Sequence, residues 1–140
     1  MTHKLLFLDF DGVMHSTNDH SVFFEKGDLL KKALIDTPVE IIISSSWRFQ
    51  FNLNQLKKFF PREIQDKVVG VTGDPVIGKF PRYNEIINYL KSINQSLCDW
   101  RALDDFQLEF PKECENLILC SSNTGLQQKQ ITALKKWLKN

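Results

Sequence analysis

Short apolar runs that end in polar residues recur along the chain and predict the strands of a parallel sheet. The first run, Lys4–Leu8, is apolar without alternation and leads directly into Asp9, as is typical of a strand buried on both faces. A weaker strand is predicted at Asp66–Val71, before the turn signal at Gly73–Pro75. The other runs of this design are Val39–Ile43 before Ser44–Ser46, Trp100–Leu103 before Asp104–Asp105, and Asn116–Cys120 before Ser121–Asn123.

Segments with helical spacing of apolar residues separate these strands. Strands and helices that alternate imply right-handed crossovers, so the sequence predicts an α/β fold of three α/β/α layers with a doubly wound, mostly parallel five-stranded sheet. Ligands of such sheets bind beyond the carboxyl ends of the strands, where Asp9, Ser44 and Asp104 are expected. The predicted helices carry Leu30, Ala33 and Leu34 after a capping Asp28; Leu53, Leu56 and Phe60 before Pro61; Ile86, Ile87, Leu90 and Ile93 after Pro81; and Ile131, Leu134 and Leu138 at the end of the chain.

Composition limits the class of protein. The chain has 140 residues, of which 42% are hydrophobic and 25% are charged, which predicts one globular domain over residues 1–140 and excludes a disordered chain. The net charge is +1, so a charge that binds a partner must be local. Three cysteines without metal-ligand spacing and an N-terminus without a signal-peptide pattern predict a cytoplasmic protein with no membrane segment.

Two pairs of carboxylates at predicted strand ends indicate a metal site. Asp9 and Asp11 flank Phe10 directly after the first strand, and Asp104 and Asp105 follow a later strand. An isolated Asp-x-Asp-Gly can also be a turn with a capping carboxylate. Its position after a wholly apolar strand, matched by a second acidic pair, favours a hard ion such as Mg²⁺, which prefers oxygen ligands and retains several waters. All four carboxylates are therefore predicted metal ligands.

The motifs at these strand ends resemble those of the haloacid dehalogenase (HAD) superfamily of phosphatases and phosphotransferases, whose sheet is Rossmann-like. Leu6–Val13 resembles the first motif, Ser44 after three isoleucines resembles the second, and Asp104–Asp105 resembles the acidic fourth motif. A narrower likeness is to the HAD domains associated with RNA-repair proteins. It rests on Ser44–Arg48, Arg82–Ile86, Trp100–Asp105 and Thr124–Leu126.

The resemblance implies a two-step phosphatase mechanism. Asp9 would attack phosphorus to form an aspartyl-phosphate, and Asp11 would protonate the leaving oxygen and then deprotonate water. Mg²⁺ would screen the phosphate from Asp9, with the backbone carbonyl of Asp11 among its ligands. Asp105 aligns better with the direct metal ligand of the family and Asp104 with an outer partner, although the sequence leaves this choice open.

The family's third motif supplies a cation that contacts the nucleophile and the phosphoryl oxygens. Lys79 and Arg82 both lie near the start of a predicted helix; we favour Arg82, which could bind phosphate with two parallel bonds, and keep Lys79 as a substrate-binding candidate. Ser45 could contact substrate or cap the next helix, and Arg48 could reach a second phosphate or be solvated. The remaining candidates are Trp47, as a core residue or a base-stacking platform, and His15 and His20, as substrate contacts or exposed residues.

The spacing of the motifs bears on the substrate. The step from Asp11 to Ser44 is 33 positions and the step from Ser44 to Asp104 is 60, and the predicted strands and helices fill both. Neither interval accommodates the separate cap domain that many HAD members use to enclose small metabolites. By family analogy, the open site favours a large substrate, such as a nucleic-acid end or a phosphoprotein, and an association with RNA-processing proteins.

Two other classes of protein remain as alternatives. A phosphorylation-receiver domain shares this kind of sheet, but it needs an adjacent acidic pair after the first strand and an acceptor Asp after the third. Here the third strand leads into Val71–Gly73, and the next acidic residue is Asp74. A non-catalytic HAD-fold module that binds RNA or protein is the second alternative, and the retention of clustered carboxylates argues against it.

Overall fold

The central strand of the sheet is the one that carries the first carboxylate. In the computed structural model, which describes residues 3–18 and 23–140, the strands are β1 (Lys4–Leu8), β2 (Glu40–Ile43), β3 (Val68–Val71), β4 (Asp99–Asp104) and β5 (Leu117–Leu119). Strand β1 pairs in parallel with β2 on one side and β4 on the other. The strand order is β3-β2-β1-β4-β5, and all four pairings are parallel.

Helices cover both faces of this sheet. Alternate side chains of each strand point to opposite faces, so β1 directs Leu6 and Leu8 to one core and Leu5 and Phe7 to the other. The first core packs against α1 (Gly27–Leu34), α2 (Leu53–Lys57) and α4 (Gln128–Leu138), and the second packs against α3 (Pro81–Ser92). The doubly wound α/β prediction is therefore confirmed. Short 3-10 helices span Ser46–Phe49, Arg62–Lys67 and Gln107–Glu109.

Some predicted helix details are wrong. Asp28 does not cap α1, because the helix begins one residue earlier at Gly27 and Asp28 lies inside its first turn, where its charge still suits the helix dipole. Ile93 is 38% exposed because α3 ends at Ser92, so Ile93 leaves the buried stripe. The second helix ends at Lys57, and Phe60 is buried from the loop that follows.

The loops at the carboxyl ends of the strands form the edge that the sequence marks as functional. Between Ser44 and Asp104 the chain is used by α2, β3, α3 and two 3-10 helices, with no separate cap module among the residues described there. None of the helices in residues 3–18 and 23–140 is long and apolar enough to cross a membrane.

Candidate active site

Asp9 is held at the end of β1 by the backbone. Its N–H continues the sheet by donating to the carbonyl of Leu103 (3.1 Å), and its Oδ1 accepts from the N–H of Phe10 (2.8 Å). The residue is 7% exposed. A carboxylate fixed in this way has one orientation, as a nucleophile requires.

Three carboxylates converge at this edge because β4 lies beside β1. One carboxylate oxygen from each of Asp9, Asp104 and Asp105 lies within 4.8 Å of the others. Asp104 accepts from the N–H of Phe106 (3.0 Å), and Asp105 accepts from the hydroxyl of Ser122 (2.6 Å). The side chains of Asp104 and Asp105 are thus held by residues of the loops that follow β4 and β5.

Burial makes the ionised forms of two of these carboxylates costly. Desolvation, with the neighbouring charge of Asp104 added, raises the pKa of Asp9 well above its usual value, and Arg82 partly opposes this shift. Desolvation also raises the pKa of Asp104 to about 7, again against the opposing effect of Arg82. Without further positive charge, Asp9 and Asp104 therefore retain protons at pH values where an ordinary aspartate has lost them.

Arg82, in the first turn of α3, is the cation that faces this cluster. Its Nη1 lies 3.8 Å from Oδ1 of Asp9 and its Nε lies 3.9 Å from Oδ2 of Asp104. Although burial alone would lower the pKa of Arg82, the charges of Asp9 and Asp104 raise it. Lys79 is exposed, and its ammonium group lies 5.8 Å from the ring centre of Phe80. The geometry therefore favours Arg82 as the third-motif cation, while substrate binding by Lys79 stays a prediction.

Ser44 and Ser45, the first two of the three serines after β2, differ in their surroundings. Ser44 extends the pairing of β2 with β1 through its N–H, which donates to the carbonyl of Leu8 (2.8 Å), and its Oγ lies 3.5 Å from Nη1 of Arg82. Ser45 caps the following 3-10 helix, because its Oγ accepts from the N–H of Trp47 (3.2 Å). Ser44 thus faces the carboxylate edge, and the substrate contact predicted for Ser45 stays a prediction.

Arg48 forms a buried ion pair instead of facing solvent. Its Nη2 lies 3.0 Å from Oε1 of Glu85, and the two side chains are 3% and 7% exposed. The remaining nitrogens donate to the carbonyls of Gly73 (3.0 Å) and Ser45 (2.9 Å), and Glu85 also accepts from the N–H of Val76 (3.1 Å). Arg48 therefore joins the turn after β2 to α3, the helix that carries Arg82. The substrate contact predicted for Arg48 stays a prediction.

Asp11 lies apart from the carboxylate cluster. Its side chain is 53% exposed, and its two oxygens bond to Nε2 of His15 (2.8 Å) and Nε1 of Trp47 (3.0 Å). Of the four predicted metal ligands, Asp9, Asp104 and Asp105 lie close together, whereas a ligand role for Asp11 stays a prediction. His20 lies outside the described residues.

Gly12 is needed where the turn after β1 approaches Asp105. Its φ of +78° is in the left-handed region, and an added Cβ would lie 2.1 Å from Oδ2 of Asp105. Its N–H closes the turn by donating to the carbonyl of His15 (3.0 Å). The glycine of the Asp-x-Asp-Gly motif therefore makes room for a carboxylate of the other acidic pair.

Sequence reasoning missed two residues that shape the site. In the sequence, Ser122 is distinguished only by its place in Ser121–Asn123 after the last strand, yet its hydroxyl donates to Asp105. Glu85 is distinguished only by its place in the family-like segment Arg82–Ile86, although it is the buried partner of Arg48. The signal for Glu85 in the sequence is a charged residue next to Ile86 on the inner face of the predicted helix, a position that calls for a buried partner.

The clustered carboxylates fit Mg²⁺. Ligand oxygens around one Mg²⁺ are about 3–4 Å apart, because each lies about 2.1 Å from the ion, so a cluster within 4.8 Å can close on it with small movements. Every donor is a hard oxygen, and burial, which raises the pKa of Asp9 and of Asp104, makes their ionised forms costly without a nearby cation. Among the described residues, the buried Nε of Arg82 has no hydrogen-bond partner, which leaves one donor for an anionic ligand.

Comparison with known proteins gives a family match over most of the chain. The family model described as the HAD domain in Swiss Army Knife RNA repair proteins matches residues 5–131. The matched range runs from β1 into α4 and includes Asp9, Ser44, Arg82 and Asp104. No curated protein and no solved structure matches the chain significantly.

Proposed function

Because the chain belongs to the family of HAD domains found in Swiss Army Knife RNA repair proteins, we propose that it is a Mg²⁺-dependent phosphomonoester hydrolase that acts through an aspartyl-phosphate. The family match confirms the resemblance drawn from the motifs. One observation carries the proposal beyond the family: Asp9, Asp104 and Asp105 converge within 4.8 Å, with Arg82 3.8 Å from Asp9. The residues proposed as the nucleophile, the cation ligands and the phosphate-binding group therefore lie together at one edge.

The proposed first step is an in-line displacement at phosphorus. A carboxylate oxygen of Asp9 forms the new O–P bond, and the bond from phosphorus to the ester oxygen breaks with its electron pair on that oxygen. Asp11 gives its proton to the departing oxygen. Arg82 and the hydroxyl of Ser44, whose nearest atoms are 3.5 Å apart, are positioned to hold the phosphoryl oxygens.

The proposed second step returns the enzyme to its starting state. Asp11 takes a proton from a water molecule, the water oxygen bonds to phosphorus, and the bond to Asp9 breaks to release inorganic phosphate. Asp9, Asp104 and Asp105 would hold Mg²⁺, which supplies positive charge to reduce repulsion between the phosphate and the carboxylates.

The experiment that tests this function is hydrolysis of p-nitrophenyl phosphate with and without Mg²⁺, with the Asp9→Asn variant beside the wild type. We expect turnover that needs Mg²⁺ and is lost in Asp9→Asn, because the amide is a poor nucleophile. Asp66→Asn, the same change at an exposed residue of a 3-10 helix, should retain activity. Equal turnover by Asp9→Asn and the wild type would reject the mechanism. If the wild-type protein is folded but hydrolyses none of the phosphoesters, a non-catalytic binding module would be favoured.

We further propose a large substrate, with a phosphorylated RNA end as the first choice. The family description supports an RNA-processing context, and the open edge leaves Asp11 53% exposed. Comparing turnover on 3′- and 5′-phosphorylated oligonucleotides, a phosphopeptide and a small sugar phosphate tests this choice. Preference for an oligonucleotide end is expected, and strong selectivity for the sugar phosphate would overturn it.

A further inference from the structure

His15 and Trp47 bond both carboxylate oxygens of Asp11, and we propose that they are positioning residues for proton transfer. We call the three side chains the Asp11 clamp. The proposal rests on the proposed function, in which Asp11 is the acid and base. Asp11 needs such support because it lies three residues beyond the end of β1 and its side chain is 53% exposed. An aspartate without partners there would sample several rotamers.

The two side chains that bond Asp11 are themselves fixed by aromatic packing. Phe23 stacks on both of them, with ring centres 5.3 Å from His15 and 5.2 Å from Trp47. The ring of Phe10 meets Trp47 edge-on, with centres 5.5 Å apart. His15 is buried, so its ring has little freedom to turn away from Asp11. Packing of this kind holds a donor in one rotamer and thereby fixes the group that it bonds.

The chemistry of the donors specifies which oxygen of Asp11 exchanges the proton. An indole N–H can donate but cannot accept, so the oxygen bonded to Trp47 stays an acceptor throughout. The transferable proton is then carried by the other oxygen, which lies 2.8 Å from Nε2 of His15, a ring nitrogen that can accept a hydrogen bond as well as donate one. In the first step this O–H bond breaks as the ester oxygen takes the proton, and in the second step the same oxygen takes a proton from water.

The first test uses leaving groups that differ in their need for a proton. Trp47→Phe retains an aromatic ring and removes the N–H, while His15→Phe removes the ring nitrogen that bonds Asp11 and His15→Gln restores a polar side chain that can donate or accept. On an alkyl phosphate, whose leaving oxygen needs a proton, we expect Trp47→Phe and His15→Phe to lower kcat by about 10-fold or more with KM little changed. On p-nitrophenyl phosphate, whose leaving group is stable as an anion, the loss should be much smaller. His15→Gln should recover part of the alkyl phosphate activity.

Matched controls exist elsewhere in the chain. Trp137→Phe removes an indole bond of the same type, from Nε1 to Oδ1 of Asp99 (2.9 Å), and His3→Phe removes a His–carboxylate contact with Glu40 (2.6 Å). Neither contact lies at the carboxylate edge, so both controls should lower turnover of the two substrates equally or not at all. In an Asp11→Asn background, Trp47→Phe should cost little more, because its effect passes through Asp11.

A second measurement does not depend on turnover. The indole N–H resonance of Trp47 in a ¹⁵N-correlated NMR spectrum should move when Asp11 is changed to Asn, while that of Trp137 stays in place. An unmoved Trp47 resonance, equal losses on both substrates or additive losses with Asp11→Asn would each overturn the clamp. Equal turnover by the wild type and Asp9→Asn would instead reject the proposed function. The NMR result would still decide whether the clamp exists.

Discussion

Removing the charge of Glu85 should destabilise the protein far more than removing an exposed acidic charge. Arg48 and Glu85 are 3% and 7% exposed, and Glu85 accepts from both Arg48 and the N–H of Val76. Glu85→Gln keeps the shape but offers one oxygen to two donors, so the new amide N–H₂ must face a donor. It also leaves a buried cation whose pKa burial already lowers.

The magnitude follows from the partners that remain. Breaking a buried ion pair by removing one charge costs about 3–5 kcal/mol, and Arg48 retains its bonds to the carbonyls of Gly73 and Ser45, which favours the lower end. With an unfolding entropy of about 2.1 cal/mol/K per residue over 140 residues, a loss of about 3 kcal/mol lowers Tm by about 10 °C. That loss is a large part of a typical total stability of about 5–15 kcal/mol.

Thermal unfolding followed by circular dichroism measures this shift. Glu63→Gln is the matched control, since Glu63 is exposed and lies 3.5 Å from Lys31, and its Tm should change by less than about 2 °C. Arg48→Met combined with Glu85→Leu should be more stable than Glu85→Gln, because no unpaired charge is left. A Glu85→Gln shift as small as that of Glu63→Gln would refute the argument.

Three other changes probe the carboxylate edge. Gly12→Ala, whose Cβ would lie 2.1 Å from Asp105, should abolish turnover with the circular dichroism spectrum retained, and an active variant would show that Asp105 can move without loss. Arg82→Ala should lower kcat by about 100-fold or more while Lys79→Ala changes it less than about 2-fold, and the reverse order in the same assay would transfer the third-motif role to Lys79. The pKa of Asp104 is raised from 3.8 to about 7, so in the metal-free protein its contribution to stability is present below about pH 4 and is lost as the pH rises to about 7. Because Mg²⁺ competes with that proton, the increase in Tm on adding Mg²⁺ should be larger at pH 8 than at pH 5. An equal increase at the two pH values would argue against binding at Asp104.

The sequence predicted what depends on strand position. Asp9 and Asp104 end neighbouring parallel strands, so an apolar run and its last residue are enough to place both at one edge. Arg82 was favoured over Lys79 by its place in a family-like segment, and the structure adds the distance of 3.8 Å to Asp9. The start of α1 was missed because Lys26 precedes it without a side-chain cap, which leaves no residue pattern at the boundary.

The sequence could not predict contacts that depend on how loops pack. Arg48 and Glu85 are 37 positions apart, and their pairing needs the turn after β2 to meet the inner face of α3. Trp47 looked like a core residue because its ring is aromatic, and its ring does pack among aromatic residues. The direction of one N–H toward Asp11 makes it part of the site, and no periodicity records the direction of a side-chain bond.

The charges of the site explain why the proposed reaction on a phosphate would need a cation. Asp9, Asp104 and Asp105 carry three negative charges when ionised, and Arg82 supplies one positive charge, while Arg48 and Glu85 cancel each other. A phosphate dianion would add to this negative excess, at a site where burial and the charge of Asp104 already raise the pKa of Asp9. Protonation would relieve the excess but remove the proposed nucleophile, whereas a divalent cation would relieve it and leave Asp9 ionised. We therefore expect Mg²⁺ both to bring substrate to the site and to produce the nucleophile, so that saturating substrate should not replace the metal.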